Sequence, residues 1–132
     1  MKRSPQNPIL TRADIPSIAP DFVDVTSVFN PGAIKFNGTY YLLLRVQSRS
    51  RETGFVVAES ADGYRFKVHD RAVHLAGMEK LGQRIYHIYD GRLTAYGDTV
   101  YIMFAMDMEG ACHLGLASTK DFLSFTFLGM TT

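Results

Sequence analysis

The chain has 132 residues, enough for one domain with its own core and no more. Hydrophobic residues make up 46% and charged residues 20%, an ordinary folded composition, and the net charge of +1 gives no electrostatic footprint for nucleic acid or an anionic membrane. No apolar segment approaches a bilayer span, the basic start lacks the apolar run of a secretory signal, and the single Cys112 has no partner for an internal disulfide, which points to a cytoplasmic setting.

Residues 1–27 read as an extended arm laid over the surface. Four of the five prolines fall there, at positions 5, 8, 16 and 20, and Ile9 and Leu10 offer apolar anchors. From residue 28 the pattern changes. Val28-Phe29 leads through Asn30-Pro31-Gly32 into Ala33-Ile34-Lys35-Phe36, and Asn37-Gly38 between apolar, aromatic-rich runs predicts a tight hairpin into residues 40–46. Residues 54–60 read as a third strand, Ala61-Asp62-Gly63 as a turn, and residues 64–68 as a fourth, outer strand whose charges suit an exposed edge.

The second half repeats the first. Asp90-Gly91-Arg92-Leu93 aligns with Asn30-Pro31-Gly32-Ala33, Gly97-Asp98 with Asn37-Gly38, and Tyr101-Ile102-Met103-Phe104 with Tyr41-Leu42-Leu43-Leu44. Residues 116–121 align with 57–62, and Phe125 with Phe66. A period of about 60 residues with four strands per unit is a propeller-blade signature, and no stretch keeps a helical period. The expectation is an all-β protein of two four-stranded antiparallel blades, residues 28–70 and 86–132, with residues 75–86 as connector. The second strand of each unit is apolar on both faces, as in a strand stacked between sheets. Two blades cannot close a ring, which takes about four to eight. Either the chain is a piece of a longer protein, or copies complete the ring as a homo-oligomer through exposed blade faces.

Asp90 and Arg92 flank Gly91 where a loop is expected to end and a strand to begin, a place where chemistry is often mounted; the same triplet also reads as a plain turn. Arg45 ends an otherwise apolar strand, where a guanidinium either finds a partner or reaches solvent. Cys112, inside an apolar stretch, reads as a small core residue. The four histidines show no metal-ligand spacing, so no metal site is expected.

Residues 28–38, 41–46, 89–94 and 104–107 together resemble the N-terminal part of glycoside hydrolase family 130, which comprises β-mannoside phosphorylases, such as mannosylglucose phosphorylase, and related β-mannosidases. The likeness runs over about residues 7–129. It implies a five-bladed propeller and inverting phosphorolysis of a β-mannoside oligosaccharide, with inorganic phosphate as co-substrate and no other cofactor. Asp90 matches the family's proton donor, which acts through a sugar hydroxyl, although Gly91 stands where proline is usual and is expected to loosen Asp90. Asn30 and Arg45 match residues that hydrogen-bond the mannosyl unit. Arg92 matches the same motif, to orient Asp90, face an anion or hold the loop by a salt bridge. Asp107 falls where an acid of the sugar pocket is common; Gln47, its counterpart in the first repeat, lacks the charge. His113 stands in place of an arginine that helps hold phosphate. The departures at Gln47, Gly91 and His113 fit an alternative: a non-catalytic, truncated propeller module that binds carbohydrate or self-associates.

Overall fold

Two runs of the sequence are apolar on both faces, around Leu43 and around Phe104, and the rest of the chain ladders onto them. The structure, a computed structural model, describes residues 4–131; the first three residues of the arm and the last of the second blade lie outside the described residues. Strands β1 (Val25–Phe36), β2 (Thr39–Ser48), β3 (Thr53–Ser60) and β4 (Lys67–Ala72) pair antiparallel in sequence order as the first blade. After a two-residue strand β5 (Leu75–Ala76), the second blade repeats the scheme with β6 (Ile85–Tyr96), β7 (Thr99–Met108), β8 (Ala111–Thr119) and β9 (Phe125–Met130). The connector holds β5 and a 3-10 turn over Met78–Leu81, and β5 pairs parallel with β9. The blades touch in the ladder at one parallel pair, Thr53 with His87. Among the described residues no helix is long and apolar enough to cross a membrane.

The repeat has a physical cause in its turns. Asn37, Gly38 and Gly97 take left-handed backbone, as tight hairpins between twisted strands require. After β3, the Asp62 carboxylate accepts the backbone N–H of Tyr64 at 2.9 Å and of Arg65 at 2.8 Å. After β8, Asp121 does the same for Leu123 and Ser124, both at 2.8 Å. These bonds hold both carboxyls below the ordinary value of 3.8, that of Asp62 at about 2, with the backbone donors as the largest cause. They also correct the fourth strand. Because Asp62 takes the amides of Tyr64 and Arg65, those residues turn instead of laddering, and β4 runs from Lys67 to Ala72 rather than over residues 64–68.

Between the blades lies the larger core, with Leu43, Phe55 and Val57 from the first and Ile102, Phe104 and Met106 from the second. The far face of the first blade carries a second core, where Ile15, Ile18 and Phe22 of the arm cover Leu42, Leu44, Val46 and Val56. The arm is therefore a packed cover rather than a surface lead-in. Among the described residues the far face of the second blade has no such cover, and Met103, Leu114 and Leu128 remain 53%, 50% and 48% exposed.

Phe122 ties the blades together. It occupies the position of Gly63 in the first repeat and keeps that left-handed backbone, φ 56° against 77°. A bulky residue adopts this conformation at a cost of about 1–2 kcal/mol. The ring is 1% exposed and stacks on Tyr41 of the first blade with centroids 3.8 Å apart, which offsets the strain. Phe122→Ala is expected to lower the unfolding free energy by about 3–5 kcal/mol in urea titration. Phe122→Gly should lose about 1 kcal/mol less than the alanine variant, reversing the usual order; glycine below alanine would refute the strain argument.

Candidate active site

Asn30 and Asp90 were expected just ahead of their strands, and both lie inside them. The β1–β2 register shifts between Phe29 and Gly32, and the β6–β7 register between Tyr89 and Arg92, so each inner strand carries a bulge at the same place in its repeat. At the bulges Asn30 has φ 42° and Asp90 φ 54°, a region that Asn and Asp enter more readily than other side-chain-bearing residues. Asn30 Nδ2 donates to Asp90 Oδ1 at 3.1 Å, across a separation of 60 residues. Glycines permit this approach. A Cβ on Gly32 would stand 2.5 Å from the Gly91 carbonyl oxygen, and one on Gly91 would stand 2.7 Å from Leu43 Cδ2. Gly91 is not left-handed, so the position uses its lack of a side chain rather than its rotational freedom.

Arg45 approaches the same oxygen from β2. Its Nη1 donates to Asp90 Oδ1 at 3.3 Å, with the Arg45 side chain 19% and the Asp90 side chain 40% exposed. The guanidinium lies between two rings, 4.4 Å from the centroid of Phe29 and 4.6 Å from that of Tyr89. Its Nε is buried and has no hydrogen-bond partner among the described residues. Of the two alternatives open in the sequence, Arg45 follows the first: it points inward to a carboxylate. Oδ1 of Asp90 thus takes two donors, while Oδ2 accepts none among the described residues.

Comparisons with known proteins give the family and the fold. Residues 1–131 match the β-1,4-mannooligosaccharide phosphorylase family. The chain belongs to glycoside hydrolase family 130. It is 33% identical over 112 residues to a 4-O-β-D-mannosyl-D-glucose phosphorylase of Bacteroides fragilis, a match covering 75% of this chain and 28% of that protein. A β-1,2-mannobiose phosphorylase of Listeria innocua superposes with a TM-score of 0.77 at 22% identity, over 95% of this chain and 49% of that one. An arabinanase of Bacillus subtilis gives a TM-score of 0.59 at 16% identity, over 80% of this chain and 38% of that one. The chain spans less than half the length of each of these relatives. The fold is that of two blades of a five-bladed propeller.

The other positions suggested by the family-130 resemblance lie outside the three-residue contact. Arg92 is exposed, and its Nη1 donates to the Gly91 carbonyl at 3.3 Å. Asp107 accepts from the Tyr89 hydroxyl at 2.9 Å. His113 Nδ1 lies 3.0 Å from the Thr131 carbonyl; a carbonyl oxygen only accepts, so the ring carries its proton on Nδ1. Cys112 is exposed rather than a core residue, with Sγ 3.3 Å from the Tyr89 hydroxyl. Sequence reasoning missed Phe29 and Tyr89, the two rings around Arg45. Their common signal is an aromatic immediately before Asn30 and before Asp90.

Proposed function

We propose that this chain supplies the proton-donor part of an inverting β-mannoside phosphorylase site, with Asp90 as the acid and Asn30 and Arg45 holding the mannosyl unit. The observation that carries the reading is the meeting of both donors on Asp90 Oδ1, with Oδ2 left free among the described residues. A proton on Asp90 then belongs on Oδ2. It passes through a mannosyl hydroxyl to the glycosidic oxygen as the C1–O bond breaks and a phosphate oxygen bonds C1 from the opposite face. The aglycone leaves with that proton, and the carboxylate left behind faces two donors, one of them cationic, that stabilise its charge.

Phosphate arrives as an anion and needs no base, whereas inverting hydrolysis needs a second carboxylate to activate water. Asp107, the other acid suggested for the pocket, binds Tyr89 and stands outside the Asn30–Arg45–Asp90 contact, which favours phosphorolysis. Arg92, with most of its donors unspent, is available to an anion, and His113 Nε2 donates to phosphate only when the ring is doubly protonated, which makes it a weaker, pH-dependent contact. Two blades provide one side of such a site, so activity requires further walls. The bare apolar face of the second blade supports their supply by a homo-oligomer, because a patch of that kind is unfavourable in water. The same geometry supports a second reading, a module that binds mannosides without turning them over.

The test of the reaction is phosphate-dependent release of sugar from β-mannosyl disaccharides. Wild-type protein should release sugar only with phosphate present, and Asp90→Asn should abolish release while leaving the circular dichroism spectrum unchanged. Phosphate-independent release would point to hydrolysis, and no release from any β-mannoside would leave the binding module as the function.

Association is tested by light scattering across a concentration series. An oligomer that Met103→Lys and Leu114→Lys dissociate is the expected result; a wild-type monomer at high micromolar concentration would contradict it.

A further inference from the structure

Arg45 is the cation nearest to Asp90 in this site, and its hold on the carboxylate is one hydrogen bond of 3.3 Å. A single contact of that length does not fix a guanidinium on a long flexible stem. Its two planar faces are what the protein controls, and the rings that control them have unequal support. Phe29 sits directly across from Arg45 in the β1–β2 ladder. Tyr89 comes from the other blade, where its partner is Ala105, the second-repeat counterpart of Arg45. With only a methyl group opposite, the face of Tyr89 is left to the guanidinium.

The Tyr89 ring is itself anchored at its far end. Its hydroxyl reaches two residues along β7 to Asp107 Oδ1 at 2.9 Å, and lies 3.3 Å from Sγ of Cys112, the cross-strand partner of Asp107. Both groups push the Tyr89 pKa above its usual value, the Cys112 contact being the larger cause and the Asp107 hydrogen bond the next. The phenol therefore stays protonated and donates to Asp107.

We propose that Tyr89 is a positioning residue, anchored through its hydroxyl by Asp107, that with Phe29 clamps the Arg45 guanidinium in the plane that presents it to Asp90. Asp107 then acts on the site through Tyr89. The consequence for turnover rests on the reading of Asp90 as proton donor; the clamp itself does not.

The experiment separates the two. In a nitrogen–proton NMR spectrum of the free protein, the Arg45 Nε–H is expected as a distinct resonance, displaced by the ring currents of Phe29 and Tyr89 and protected from exchange. Tyr89→Leu and Asp107→Leu should each move it toward the position of a solvent-exposed arginine. Asp107→Asn should preserve it, because the amide oxygen still accepts from the phenol. Backbone amide signals outside the site serve as the check on folding, and the Asp107 pair keeps the test decisive if Tyr89→Leu is unstable. In assembled, active protein, Tyr89→Leu should lower kcat about tenfold or more with little change in the KM for phosphate. An Arg45 resonance unmoved by Tyr89→Leu or by Asp107→Leu would overturn the clamp, as would an Asp107→Asn spectrum matching that of the leucine variant. Absence of phosphorolysis in the wild type would defeat the proton-donor reading alone, and the resonance would still decide the clamp.

Discussion

The candidate site depends on a backbone conformation that β-strands normally avoid. Asn30 and Asp90 each sit at a bulge with positive φ, and the bulge is what turns their side chains toward each other across the seam between the blades. Neither conformation is favourable in isolation. Each is held by long ladders on both sides of the bulge, with the β1–β2 register resuming at Gly32 and the β6–β7 register at Arg92. Strain sustained by surrounding structure at a point of convergence is a mark of functional sites. Here it also accounts for residue choice, since Asn and Asp combine tolerance of that backbone with the groups the contact needs.

The repeat makes the site and also breaks its symmetry. Equivalent positions give Asn30 and Asp90, Phe29 and Tyr89, Gln47 and Asp107, yet the counterpart of Arg45 is Ala105. A guanidinium at both places would put two cations beside one carboxylate. With alanine in the second repeat, Arg45 is clasped between aromatic rings from both blades, and one cation serves one acid. A similar inequality governs the outer faces. The arm supplies Ile15, Ile18 and Phe22 to cover the first blade, while the second blade keeps Met103, Leu114 and Leu128 open. Among the described residues, the molecule therefore has one covered face and one open apolar face.

Much of this was legible in the sequence, and the parts that were not share a cause. The hairpins and the four-stranded repeat follow from local turn chemistry, Asn37-Gly38 and the Asp62 and Asp121 turns, which acts within a few residues. The bulges were hidden because Asn-Pro-Gly and Asp-Gly-Arg read as turns. Only the unbroken apolar runs of the partner strands hinted that the ladder continues past them. Prolines masked the buried spacing of Ile15 and Ile18, and the extent of β4 depended on side-chain acceptors rather than on strand propensity. The equivalence of Asn30 and Asp90 in the repeat implied that they meet; the family-130 resemblance added Arg45 and Arg92, of which only Arg45 joins them. The rings around Arg45 were not expected, because Tyr89 meets it from the other blade, a contact that the period alone does not reveal.

The central claim is that Asn30, Arg45 and Asp90 form one sugar-facing site across the seam. The most direct measurement is a titration of the protein with a β-linked mannobiose, followed by NMR signals from the Asn30 side-chain amide and the Arg45 Nε–H. The account predicts that both signals move together along one saturable curve, and that Asp90→Asn alters the affinity. Saturable shifts confined to residues away from the seam, or none at millimolar sugar, would contradict it.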